Sequence, residues 1–301
     1  MHRYNFVFLR SEKLKYLRTM QTKDVALVLS SGSSRGLAHI GAIEALEERG
    51  YHITSVAGCS MGAIVGGMFA AGKLPEIKAF FLDINRRKML RLTDFSVSIN
   101  HLIKGERIMS AFGKMIPNLT IEELKIPLAL IATDVSKGEE RIFTSGNLNQ
   151  LIRASMSLPA ILKPVRYNGM LLMDGGITNP LPLNRVQRSG HDLLVSLNVN
   201  APFEAEELTS SRPNNVPPML EKILNKGEKL TEVNYVSIIS RITDIMITQN
   251  TELITQLYPP DMTINVAKNH FGSYDYDRAE EIINYGHDLM IKEIDRFEGI
   301  S

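Results

Sequence analysis

The stretch "SVAGCSMGAIVGGMFAAG", residues 55–72, decides the fold. Its first residues close the apolar run "ITSVAG" (53–58), which has the length and the terminal glycine of a buried strand. From Ser60 onward the composition reads as a helix, and small residues at Ala63, Gly66, Gly67 and Ala70 let it lie close to its neighbours. A strand therefore delivers Ser60 to a tight turn, and a helix leaves it. Gly58-Cys59-Ser60-Met61-Gly62 fits the pattern G-x-S-x-G, in which the glycines admit a cramped strand-to-helix backbone. The helix N-terminus would place positive partial charge and free N–H groups beside the serine oxygen. The same five letters also describe an ordinary glycine-rich turn, and the pattern alone leaves both readings open. Cys59 reads as a small packing residue.

Working outward, the same order occurs just upstream. "VALVLS" (25–30) is a short apolar run, "SSGSSRG" (30–36) a turn, and "GLAHIGAIEALEERG" (36–50) a helix with Leu37, Ile40, Ile43 and Leu46 at helical spacing and Gly50 as its stop. Strand, tight turn and helix, repeated, predict an α/β fold with a central, mostly parallel sheet flanked by helices in three layers.

Downstream, "IPLALIATDV" (126–135) and "RIFTSG" (141–146) read as strands, and "NLNQLIRASMSLP" (147–159) as a helix stopped by Pro159. "GMLLMDGG" (169–176) reads as a strand running into a turn, and "DLLVSLNV" (192–199) as a buried strand. Residues 201–218 become polar and rich in proline, as in a linker. The amphipathic stretch from Met219 to Leu257 predicts one or two helices, usable as a lid, a lipid-facing surface or a contact with a second subunit. "MTINVAK" (262–268) and "YDRAEEIINYGHDLMIKEIDRF" (276–297) predict a last strand and a charged helix. The expected organisation is an N-terminal extension over 1–23, a core over 24–200, a linker and helical insert over 201–257, and a closing strand and helix over 258–301.

Composition narrows the function. The net charge is +1 over 301 residues, which excludes a strong nucleic-acid field, and 44% apolar residues suit a globular core. With one cysteine, no intramolecular disulfide can form, and a reducing, cytoplasmic setting fits best. The N-terminal residues mix basic and aromatic side chains without the apolar run of a signal peptide, and no run of about 20 apolar residues predicts a membrane span. Contact of the basic N-terminal arm with an anionic membrane surface is a further expectation, beside that of a plain structural tail.

A serine needs a base to act as a nucleophile. His191, His270 and His287 fall late enough for a Ser–acid–His order, although none has a distinctive sequence context. Asp174 ends a nearly all-apolar strand before two glycines, and strand ends of a parallel sheet converge on the edge that also carries Ser60. Its apolar neighbours Leu171, Leu172 and Met173 would desolvate the carboxylate and make it a stronger base. "DGG" also fits a plain Asp-Gly turn. "SSGSSRG" can supply backbone N–H groups to an oxyanion, and it fails the glycine pattern of a dinucleotide loop.

Three motifs, "SGSSRGLAHIGAIEAL", "GCSMG" and "MDGGITNPLP", stand in this order and together resemble the patatin-like phospholipases, in particular the bacterial branch related to neuropathy target esterase. The likeness extends through "IRASMSLPAILKPV", "PLPLNRVQRSGHDLLVSLNV" and "FGSYDYDRAEEIINYG", over about residues 24–295. It implies a patatin-like fold with a nucleophile elbow, and a lipid or phospholipid esterase working through a Ser-Asp dyad with neither metal nor cofactor. Ser60 then matches the nucleophile and Asp174 the base. Ser31, Gly32, Ser33, Arg35 and Gly36 match the oxyanion loop, with serine at 31 and 33 where the family usually has glycine. Arg35 matches a basic residue that anchors the loop or a lipid headgroup. The serines at 31 and 33 keep a second reading open, that of a catalytically silent, lipid-binding member of the fold.

Overall fold

Strand β1 (Asp24–Leu29) carries apolar side chains at five consecutive positions, all buried, so both faces of its sheet must be covered. The computed structural model describes residues 23–84, 88, 105–202 and 235–300. The expected extension over 1–23, apart from Lys23, most of the predicted linker and the first part of the amphipathic stretch, 219–234, lie outside them. The other strands are β2 (His52–Cys59), β3 (Leu128–Asp134), β4 (Glu139–Phe143), β5 (Val165–Tyr167), β6 (Met170–Asp174), β7 (Leu193–Ala201) and β8 (Met262–Ala267). They form one sheet in the order β5-β6-β3-β2-β1-β7-β8, with β4 also paired to β3. The pairs from β3 through β2, β1 and β7 to β8 are parallel. Those of β4 and β6 with β3, and of β5 with β6, are antiparallel.

The helices are α1 (Ala38–Glu48), α2 (Met61–Ala70), α3 (Leu74–Leu82), α4 (Glu106–Met115), α5 (Leu148–Ser155), α6 (Tyr235–Leu257) and α7 (Ala279–Glu298). Successive side chains of β1 point to opposite faces. Val25, Leu27 and Leu29 enter the larger core, where they meet Ile40 and Ile43 of α1, Ile64 and Met68 of α2, and Ile282 and Ile283 of α7. Ala26 and Val28 enter a thinner layer with Ala57, Ala129, Leu181, Leu183 and Leu194, to which Ile254 of α6 adds. Small residues on this second face let an irregular segment, 180–186, lie directly on the sheet.

One sequence expectation is corrected. β6 was expected to run with the parallel strands, but it pairs antiparallel to β3. The reason is a two-residue hairpin: Asn168 and Gly169, at φ 47° and 78°, join β5 to β6. Both central residues at positive φ make the turn whose twist matches paired strands, and Asn-Gly is its preferred sequence. Asp174 still reaches the Ser60 edge. Cys59, the last residue of β2, is level with Ile131, and the next residue of β3, Ala132, faces Asp174. β3 runs past the end of β2, so β6 descends along the overshoot and stops level with the turn.

Candidate functional site

The turn at Ser60 is built by exclusion of side chains. A Cβ at Gly62 would lie 2.2 Å from the Leu29 carbonyl oxygen, and one at Gly58 would lie 2.3 Å from the Gly62 carbonyl oxygen. Only glycine lets α2 turn back this tightly on β2 at Gly58 and lie this close to the end of β1 at Gly62. Ser60, between them, has φ 55° and ψ −115°, a backbone conformation that non-glycine residues rarely adopt. It is 6% exposed and opens onto a cavity of about 570 Å³.

Asp174 lines the same cavity and is 1% exposed. Its Oδ1 accepts the Gly176 N–H at 2.8 Å and the Cys59 thiol at 3.8 Å. Its Oδ2 is buried with no hydrogen-bond partner of standard geometry, although the Ser60 hydroxyl is near enough to favour the ionised form. Burial outweighs these donors and pushes the Asp174 pKa up to about 6. A hydroxyl beside a carboxyl that titrates near neutrality is suited to proton transfer, and such contacts often tighten only when substrate binds. The same burial, with the neighbouring Asp174 carboxyl, pushes the Cys59 thiol well up and keeps it a neutral packing group.

The loop from Ser30 to Gly36 forms the facing wall. The N–H groups of Ser30, Ser31 and Ser34 donate to Leu197, Pro180 and Ser273 carbonyls. Among the described residues those of Gly32 and Ser33 have no acceptor, and both residues line the cavity. The departure from glycine is felt at one position: Ser33 has φ 50°, whereas Ser31 is outside the positive-φ region and takes two hydrogen bonds from Asn200. Arg35 is buried and spends its guanidinium on Val199 O, Asn200 Oδ1, Phe271 O and Ser273 Oγ. It straps the loop to the end of β7. Burial lowers its pKa, opposed by Asp244, Tyr276 and Asp275.

The family model described as patatin-like phospholipase matches residues 27–186, just over half of the chain. The chain belongs to the patatin-like phospholipase family. An NTE family protein of Mycobacterium tuberculosis, described as uncharacterized, is 38% identical over 218 residues, 72% of this chain and 60% of its own. The lysophospholipase NTE1 of Kluyveromyces lactis is 26% identical, over 94% of this chain and 20% of its own. The mouse patatin-like phospholipase domain-containing protein 7 is 27% identical, over 92% and 21%. The chain thus spans about 60% of the mycobacterial relative and a fifth of the two eukaryotic ones. Among solved structures, VipD of Legionella pneumophila matches with a TM-score of 0.49 and 16% identity, over 92% of this chain and 67% of that one.

In this patatin-like fold the late histidines lie away from the cavity. His191 is exposed, His270 stacks on Tyr285, and His287 pairs with Glu48 and Asp288. His39 is buried with Nε2 on the Ser30 carbonyl, and desolvation pushes its pKa down to about 4. Two serines escaped the sequence reading. Ser155 and Ser157, at the end of α5, bond the backbone of Ser60 and Asp174. Helix α6, within the stretch read as amphipathic, lines the cavity with Ser240, Thr243 and Ile247. The signal for the serines was the pair of hydroxyls in "RASMS", which a helix-end reading passes over. Among the described residues no helix is long and apolar enough to cross a membrane.

Proposed function

We propose that the chain is a serine acyl hydrolase acting on lipid or phospholipid esters through Ser60 and Asp174, without metal or cofactor. The observation that carries this reading is the buried Asp174 carboxyl, its Oδ2 without a hydrogen-bond partner of standard geometry, in one cavity with Ser60 at positive φ. Asp174 accepts the Ser60 proton as Oγ attacks the ester carbonyl, and the free N–H groups of Gly32 and Ser33 stabilise the oxyanion. The tetrahedral intermediate collapses, and the leaving alcohol takes the proton back from Asp174. Water then gives a proton to Asp174 and attacks the acyl-enzyme, and the fatty acid departs as Ser60 Oγ regains that proton.

Ile239, Ile242, Met246, Leu253 and Leu257 form an exposed apolar row along α6, the helix that also lines the cavity. Peripheral contact of this row with a lipid surface supplies the substrate. Vesicle co-sedimentation of the full chain tests it: Ile242→Asp and Leu253→Asp should release the protein, and undiminished binding would count against the row. Ser33, a serine at positive φ, favours the second reading of a silent, lipid-binding protein. Hydrolysis of a lysophospholipid by wild type, lost in Ser60→Ala and Asp174→Asn, separates the two.

A further inference from the structure

The proposed chemistry uses Ser60, Asp174 and the Gly32 loop, yet two serines with no exposed surface at the end of α5 have no part in it. Ser155 Oγ donates to the Ile131 carbonyl at 2.6 Å and accepts the Ser60 N–H at 2.9 Å. Two residues further on, the Ser157 carbonyl accepts the Asp174 N–H at 3.0 Å. One three-residue segment therefore holds the backbone of both Ser60 and Asp174. The segment is itself braced, because Ser157 Oγ donates to the Arg153 carbonyl at 2.8 Å and accepts Arg153 Nη1 at 2.6 Å. Arg153 Nη2 continues to the Lys163 carbonyl at 2.8 Å.

The need for such a brace follows from the turn. β2 has ended at Cys59 and α2 begins at Met61, so neither a ladder nor a helix engages the Ser60 N–H. A serine at φ 55° persists only where its surroundings over-determine it. The hydroxyl of Ser155 supplies that constraint through a bond anchored in β3, the strand that separates Ser60 from Asp174.

We infer that residues 155–157 are a spacer that sets the Ser60 hydroxyl against the Asp174 carboxyl, with Ser155 as a positioning residue for acyl transfer. The inference rests on the Ser60–Asp174 reading above. It also assigns a donor: the Ser60 N–H is committed to Ser155 and is not available to the oxyanion, which leaves that task to the Gly32 loop.

The test uses the full chain and two variants, Ser155→Ala and Ser155→Cys, read by fluorophosphonate labelling of Ser60 and by kcat and KM on p-nitrophenyl butyrate. In Ser155→Ala the labelling rate and kcat should fall together by about 10–100-fold, as a small misplacement of a reacting group predicts. KM should change by less than about 2-fold, because acyl binding is untouched. The acid limb of the pH profile should move upward, since the displaced Ser60 hydroxyl no longer favours ionised Asp174. Ser155→Cys, with similar volume and weaker hydrogen bonds, should lie between wild type and alanine. Wild-type labelling and kcat in folded Ser155→Ala would overturn the inference, as would a change confined to KM. If the alanine variant does not fold, Ser155→Cys decides, and wild-type kcat in it overturns the inference. A wild-type protein that neither labels nor hydrolyses overturns the Ser60–Asp174 reading itself, a different result from an active wild type matched by its variant.

Discussion

Replacing Asp174 by asparagine should inactivate the protein and stabilise it at neutral pH. Burial pushes the Asp174 pKa from 3.8 up to about 6 in the fold, so the carboxyl stays protonated to a higher pH there than in the unfolded chain. Its folded pKa is the higher one, so its contribution to stability is fully present below about 3.8 and is lost as pH rises through about 6. Above that, the ionised group costs about 3 kcal/mol, at about 1.4 kcal/mol per pKa unit. Between pH 5 and pH 8 the loss amounts to about 1.4 kcal/mol. Asparagine keeps Oδ1 for the Gly176 N–H and never ionises. Its amide group at the Oδ2 position adds an offset that does not change with pH. Thermal unfolding of both proteins across pH 5–8 should therefore show the Tm of the variant gaining on wild type by about 2 °C. Parallel pH dependence of the two proteins would refute the claim that Asp174 is buried with a raised pKa.

For wild type, kcat/KM on p-nitrophenyl butyrate should rise about tenfold per pH unit below about 6 and level off above it, as Asp174 gains its charge. A flat profile from pH 5 to 7 would remove Asp174 as the base. Ser33→Gly relieves a side chain at φ 50° worth about 1 kcal/mol, so activity should be kept or raised with no fall in the urea midpoint. Loss of activity would mean that the Ser33 hydroxyl itself is used. Gly62→Ala drives a Cβ into the Leu29 and Ser30 carbonyl oxygens, and denaturant titration should show a loss of more than about 2 kcal/mol together with loss of activity. A wild-type midpoint would show that the turn has room to spare.

The turn at Ser60 was legible because its constraint is local: glycines two residues either side of a serine have few other uses between a strand and a helix. Asp174 was legible for a related reason, as a single charge closing an apolar strand. The direction of β6 was misread even though its signal, Asn168-Gly169, lies in the sequence, because β5 is only three residues long and shows no alternation of its own. Ser155 and Ser157 were invisible for a different reason. Their partners lie 95 residues upstream in one case and 17 downstream in the other, and a long-range hydrogen bond leaves no period in the sequence. In the sequence the serines at 31 and 33 are alike departures from glycine, and nothing there says which of them carries a backbone cost. It falls at Ser33 alone, since φ is set by how the loop is tied to Pro180 and Asn200, which the sequence does not show.

The central claim is that Ser60 is a nucleophile activated by Asp174. Intact-mass measurement after incubation with a fluorophosphonate tests it most directly, with wild type, Ser60→Ala and Asp174→Asn side by side. One adduct on wild type, mapped to Ser60, absent in Ser60→Ala and strongly slowed in Asp174→Asn, is the predicted result. An unlabelled wild type, or labelling of Asp174→Asn at the wild-type rate, would contradict it.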